Sequence, residues 1–290
     1  MTFKHNRVSE RDQLDLFRAL PGELAPRDAQ DLMAYPFFSL AKSKRVCPID
    51  YRTRTIAIRV EAVPDHGMAT IWDADVLIWA ASQIVEARDA GLKTSRLMAA
   101  TPYEILTFVG RGTGARDYDR LKAAFDRLQS TTVLTSIRQP AERRRHRFSW
   151  INEWKETADV HGRPLGLELI LPDWFYAGVL DDALVLTIDR AYFDLTGGLE
   201  RWLYRIVRKH GGRQADGWSF DFSHLHAKSG SLSPLKHFAY DVREIVRRQA
   251  LPGYRLCIDR GFRGVERLEF VAIPREPCVH RPVAPSGDKL

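Results

Sequence analysis

The chain has 290 residues, 44% of them hydrophobic and 28% charged, with a net charge of +7. That balance suits a globular protein of about two domains, and its sign favours a polyanionic partner. No run reaches the ~20 apolar residues that span a membrane, and the first residues lack the apolar core of a signal peptide, so a cytoplasmic protein is expected. Cys47, Cys257 and Cys278 are odd in number and far apart, which fits neither a disulfide framework nor a zinc site and points to buried or inert thiols.

Residues 1–50 read as an N-terminal arm. It carries a short helix over 11–19 and the apolar segment Tyr35-Pro-Phe-Phe-Ser-Leu, which is expected to dock on the first domain; Lys42, Lys44 and Arg45 follow. Alternating Ile56, Ile58 and Val60 predict a strand over 55–63, and a turn at Asp65-His-Gly leads to a second strand over 69–72, so a hairpin opens domain 1. Asp73 or Asp75 caps a helix that ends at Gly91. Thr101, Pro102 and Glu104 form a capping-box start for a shorter helix. After the turn Gly110-Arg-Gly-Thr-Gly comes a helix over 116–129, then a β-branched strand over 131–137, a basic loop over 139–145 and a strand over 147–156.

A junction at Asp159-Val-His-Gly-Arg-Pro separates domain 1 (51–158) from domain 2 (159–274). Domain 2 reads as a strand over 165–171, a short helix over 172–178, a strand over 183–188 and a core helix over 195–210 stopped by Gly211-Gly212. A short helix over 223–228, the turn Ser229-Gly-Ser and a helix capped by Ser233 follow. A hairpin over 254–258 and 265–273 closes around Arg260-Gly-Phe-Arg. The proline-bearing tail, 275–290, is expected to be disordered.

One pattern occurs twice. Tyr118, Leu121, Phe125 and Leu128 form an apolar helical stripe, and Leu235, Phe238, Val242 and Ile245 repeat it 117 residues later. Each striped helix follows a short helix and a turn and precedes a hairpin. The expected fold is α+β: two tandem winged-helix domains, each a helix-turn-helix with a β-hairpin wing, which implies double-stranded DNA as the partner.

The second helix of such a unit enters the major groove, about 12 Å wide, with its apolar face turned inward. Opposite the stripes lie Arg116, Asp119 and Arg120 in the first unit and Ser233, Lys236, His237 and Tyr240 in the second. Arg120 and Lys236 are the foremost candidates for base readout, because cationic side chains can reach guanine O6 and N7. Arg111 and Thr113 in the first turn and Ser231 in the second add candidate DNA contacts. In the wings, Arg138, Arg143, Arg144, Arg145 and Arg147, and then Arg260 and Arg263, are candidates for phosphate or minor-groove contact. A second basic cluster, Arg201, Arg205, Arg208, Lys209 and Arg213, reads as a further phosphate-binding face.

An enzymatic alternative rests on His224-Leu-His226 with Tyr240, the residues of a rolling-circle DNA nickase that holds a metal and attacks a phosphate. It requires both histidines on one side of a strand, whereas Ser223 caps what reads as a helix. No catalytic residue, metal site or cofactor is therefore expected. No G-x-x-x-x-G-K-[ST] loop is present, which argues against an ATP-driven helicase. A winged-helix transcription regulator is the alternative within DNA binding.

The segments Tyr35-Pro-Phe-Phe-Ser-Leu-Ala-Lys, Thr70-Ile-Trp-Asp-Ala-Asp-Val-Leu-Ile, Thr101-Pro-Tyr-Glu-Ile-Leu, Tyr118-Asp-Arg-Leu-Lys-Ala-Ala-Phe-Asp-Arg-Leu and Thr131-Thr-Val-Leu-Thr occur in order. Over residues 35–273 the chain resembles the plasmid replication initiator protein A family, by letters in the first half and by pattern in the second. The resemblance implies tandem winged helices, binding to repeated sites at a plasmid origin, recruitment of host replication proteins, and a homodimer that represses the protein's own promoter.

Overall fold

The computed structural model describes residues 9–139, 145–161, 164–212, 214, 217–261 and 264–274. The architecture is α+β, with one continuous core shared by both halves.

The first half is built on α2 (Ala74–Asp89), whose side chains are buried nearly all round. It is followed by β5 (Leu97–Ala100), α3 (Pro102–Phe108) and α4 (Ala115–Ser130). Thr101 starts α3 with the expected capping box: its hydroxyl accepts from Glu104 N at 3.2 Å, and Glu104 accepts from Thr101 N at 2.6 Å. In α4 the buried residues are Leu121, Ala124, Phe125 and Leu128, three of the four predicted stripe positions, and Tyr118 packs at the margin. The helix stops where β-branched Thr131 turns inward, its hydroxyl accepting from Ala69 N at 2.8 Å.

The hairpin packed on α4 is formed by β8 (Glu153–Ala158) and β9 (Pro164–Ile170). Trp154 of β8 stacks on Phe125 of α4 with ring centroids 5.4 Å apart. With β1 (Leu16–Arg18) these strands make a sheet in the order β1-β5-β9-β8. The domain boundary expected at 158/159 therefore falls inside a hairpin: the strand assigned to the second half belongs to the first. The expected helix over 11–19 is likewise replaced by a single tight turn, Arg11–Gln13, and by β1. Buried Phe17 and parallel pairing with β5 favour the extended form. Arg11 anchors this segment through ion pairs with Glu153 and Glu168.

A second sheet, in the order β3-β4-β6-β7, is formed by β3 (Ile49–Arg52), β4 (Ala57–Glu61), β6 (Thr132–Thr135) and β7 (His146–Ser149). The opening hairpin is thus β3–β4, not a pairing of 55–63 with 69–72. Thr53 closes its turn, donating from N to Ile56 O at 2.8 Å while its hydroxyl accepts from Ile56 N at 3.0 Å. Thr70 instead bridges Ser39 just before α2. β6 and β7 intervene between α4 and β8, so the strand expected over 147–156 is two strands in two different sheets.

The second half repeats the first without that insertion. It comprises α6 (Gly198–Gly211), β11 (Trp218–Asp221), α7 (Phe222–Ser229), α8 (Leu235–Arg248), β12 (Tyr254–Arg260) and β13 (Glu266–Ala272). Its sheet order, β11-β13-β12, matches β5-β9-β8. The repeat extends from the helical stripe to the strand topology, and the inserted strands explain why the 117-residue offset does not hold beyond α4.

The arm is structural. β2 (Arg27–Ala29) pairs antiparallel with β10 (Val185–Thr187), and α1 (Gln30–Ala34) follows. α5 (Asp173–Leu180) supplies Trp174. Phe37 meets Trp150 and Trp174 at 5.4 and 5.9 Å, Phe38 stacks on Trp150 at 5.0 Å, and the guanidinium of Arg205 on α6 lies 5.8 Å from Phe38. The aromatic segment expected to dock on the first domain joins both halves.

Two buried ion pairs cross the same joint. Asp28 accepts from Arg205 Nε and Nη2 at 2.6 and 2.8 Å. Asp75 of α2 accepts from Arg201 of α6 at 2.8 Å and from Arg111 at 2.8 Å. Gly198 lets the halves close, since a Cβ there would clash with Leu40 O. Among the described residues no helix is long and apolar enough to cross a membrane.

Candidate nucleic-acid interface

α4 and α8 are the second helices of the two repeated units, and each presents one face to solvent. On α4, Arg116, Asp119 and Arg120 are exposed, with Thr113 exposed in the preceding turn. The Arg120 side chain is 74% exposed, and its Nη1 lies 3.2 Å from Asp117. On α8, Lys236, His237 and Tyr240 are exposed, with Ser233 exposed in the preceding turn.

The α7–α8 turn is held by its own serines. Ser231 N donates to Ser229 Oγ and Ser233 N to Ser231 Oγ, both at 3.1 Å. Ser233 does not cap α8; Pro234 occupies that position, and Ser233 O is 2.7 Å from His226 Nε2. Asp73 likewise precedes α2 without capping it, because its carboxylate is engaged by Arg127 at 2.7 Å. Gly230 ends α7 in the left-handed region (φ 64°), where a Cβ would meet Pro36 at 2.9 Å and Ile49 at 3.3 Å.

Several predicted contacts turn inward. Arg111 donates to Asp75 and to Trp72 O, both at 2.8 Å, so it fastens the α3–α4 turn to the core. Arg138 pairs with Asp31 at 2.9 Å and lies 3.9 Å from the Trp174 ring centroid. The basic cluster on α6 is a joint rather than a phosphate-binding face. Arg201 and Arg205 are buried in ion pairs, Arg208 donates to Thr187 O at 2.8 Å, and Lys209 Nζ lies 5.8 Å from the Tyr35 ring. Arg201 and Arg205 face the core from α6, while Arg208 and Lys209 are half-buried at its edge.

Arg145 is exposed, and Arg147 is 60% exposed, 3.5 Å from Glu61. Arg147 sits on β7 in the inserted sheet, not on the β8–β9 hairpin that matches β12–β13. Arg260, 79% exposed, ends β12 beside the β12–β13 turn. Arg143, Arg144 and Arg263 lie outside the described residues, as does Arg213.

A groove of about 660 Å³ runs beside α4, lined by Lys42, Lys44, His66, Arg111, Asp117 and Arg120 among others. Lys44 donates to Asp65 O at 2.7 Å, and exposed Lys42 lies 5.5 Å from the Trp72 ring. Lys42 is a cation the sequence displayed in its Lys-Ser-Lys-Arg run but could not place. Arg45, from the same run, is buried and donates to Gly230 O at 2.6 Å, tying the arm to the α7–α8 turn.

The nickase residues do not converge as on a strand. Both histidines lie on helix α7; His224 stacks on Phe220 at 5.5 Å, while His226 faces Ser233 O. Cys47 and Cys257 are free and exposed rather than buried.

Lys228, at the end of α7, is held against Tyr35 and Tyr51, its Nζ 4.5 and 5.9 Å from their ring centroids. Burial, reinforced by Lys209, pushes its ammonium down from 10.5 to about 8. The folded state therefore sheds this proton more readily than the unfolded chain, and stability rises as pH increases from about 8 to 10.5. Urea unfolding is expected to show a gain of about 1–2 kcal/mol across that window, discounted for residual solvent screening. In Lys228→Met that portion of the slope disappears; an unchanged slope rejects the assignment.

The model of the Replication initiator protein A family matches residues 27–256. A curated protein of Wigglesworthia glossinidia brevipalpis, named "Putative replication protein", is 31% identical over 228 residues, covering 77% of this chain and 82% of its own length. Two crystal structures of domains 2 and 3 of RctB are similar in fold, with TM-scores of 0.59 and 0.56 at 14% and 15% identity. They cover 82% and 84% of this chain and 95% and 97% of their own. The match over residues 27–256 takes in the joint, the first repeated unit and the second from α6 to the start of β12, and the chain belongs to the replication initiator protein A family.

Proposed function

We propose that this replication initiator binds double-stranded DNA sequence-specifically at directly repeated sites of a plasmid origin, acting in the cytoplasm through two tandem winged-helix units. The observation that carries this reading is the repetition itself. Two units with the same strand order each hold a helix whose outer face is open, and buried ion pairs connect them. Two coupled helices favour recognition of one long asymmetric site, since the first unit offers Arg116 and Arg120 where the second offers Ser233 and His237. The β8–β9 and β12–β13 hairpins serve as wings. The role is binding without strand cleavage: it assembles host replication proteins at the origin, and a homodimer represses the promoter.

Arg120→Ala and Lys236→Ala are each expected to weaken specific binding by about 1–3 kcal/mol, at different base pairs of one site. Footprinting on DNA flanking the gene, with base substitutions along the protected repeat, reads both effects. Unaltered affinity and specificity in either variant rejects that residue's role, and protection of a single palindrome favours a transcription regulator.

A further inference from the structure

Leu235 is the first member of the second apolar stripe, yet it is 43% exposed. Its counterpart 117 residues earlier, Tyr118, packs against the core. Leu232, in the turn before α8, is 64% exposed. Two large apolar side chains thus lie at the start of one helix without cover among the described residues, although apolar residues on a monomer surface usually occur singly.

The charges around them indicate what covers them. The first turn of α8 has no acidic residue, Lys236 and His237 adjoin Leu235, and the free backbone N–H groups of a helix start favour an anion. An apolar contact framed by cations suits the major groove, where thymine alone presents a methyl group. Helical side chains lean toward the N-terminus, so Leu235, the first residue of α8, leads the helix into whatever it enters.

We propose that Leu235, flanked by Leu232, is a specificity-determining residue that reads thymine C5-methyl groups in the part of the site bound by α8. Lys236 holds the adjacent guanine or phosphate, and Leu235 discriminates against cytosine, which lacks the methyl. This rests on the DNA-binding reading above and adds a chemical basis for selectivity that charge cannot supply.

The test uses the full chain and the duplex defined by footprinting at the origin repeat, with thymines replaced one at a time by deoxyuridine, which removes only the methyl. Wild type is expected to lose about threefold to fourfold in affinity at one or two thymines, the worth of burying one methyl group. Leu235→Ala is expected to lose that sensitivity and to bind the deoxyuridine duplex as wild type does. Wild-type indifference to every replacement, which needs no variant, overturns the proposal, as does full sensitivity retained in Leu235→Ala. Absence of any footprint overturns instead the DNA-binding reading on which it rests.

Discussion

Asp28→Ala is expected to destabilise the protein by about 3–5 kcal/mol. Asp28 and Arg205 are each 1% exposed at the side chain, and the carboxylate takes two hydrogen bonds from the guanidinium. Without it, a cation remains in a site water does not reach, and the desolvation cost stays without the Coulomb gain. That loss is a large share of the ~5–15 kcal/mol that holds an ordinary domain folded. Arg205 already keeps Nη1 without a hydrogen-bond partner among the described residues, so the pair is imperfect. Asp28→Leu combined with Arg205→Met is accordingly expected to unfold near the wild-type denaturant midpoint. Equal midpoints for wild type and Asp28→Ala are the result that contradicts this account.

Asp75→Asn is expected to cost about 3 kcal/mol or more, because it strands Arg201, whose side chain is 4% exposed, while preserving shape. Arg201 still donates to Leu195 O and Phe193 O, which hold the guanidinium but do not neutralise it. The same carboxylate holds Arg111, so the α3–α4 turn loses its anchor and specific DNA binding weakens at temperatures where the variant remains folded. Arg111→Ala is the contrasting case. Its side chain is 28% exposed, and its removal costs about 1 kcal/mol or less in stability while loosening the same turn. Urea unfolding beside footprinting separates the effects. Asp75→Asn with wild-type stability removes the buried network from the account of the joint.

Local signals were legible wherever neighbours in the chain decide the structure. The capping box at Thr101 and Glu104 formed as read, because its partners lie three residues apart. The stripe of α4 is buried at Leu121, Phe125 and Leu128 for the same reason. Leu235 departed from its stripe because helical period identifies a face without showing where the core beneath it ends.

The strands were less legible. β6 and β7 looked like the wing because they follow α4 directly, whereas β8 and β9 follow the inserted hairpin. The sheet orders decide which pair matches β12–β13, and pairing between distant strands leaves little trace in a single sequence. The candidate contacts divided similarly. Arg116, Arg120 and Lys236 remain open, while Arg111, Arg138, Arg201 and Arg205 are committed to carboxylates 107 to 177 residues away, except for the nearer 36-residue Arg111–Asp75 pair.

By itself the sequence determined an α+β chain with two helical stripes of equal spacing, the start of α3 and a basic character, since each follows from composition or from residues within a few turns. Only the tertiary structure decided which hairpins are equivalent, that the arm is a joint, and which arginines face solvent. An arginine's letter is the same in either setting; the carboxylate or carbonyl that meets it comes from elsewhere in the chain, and folding alone brings the two together.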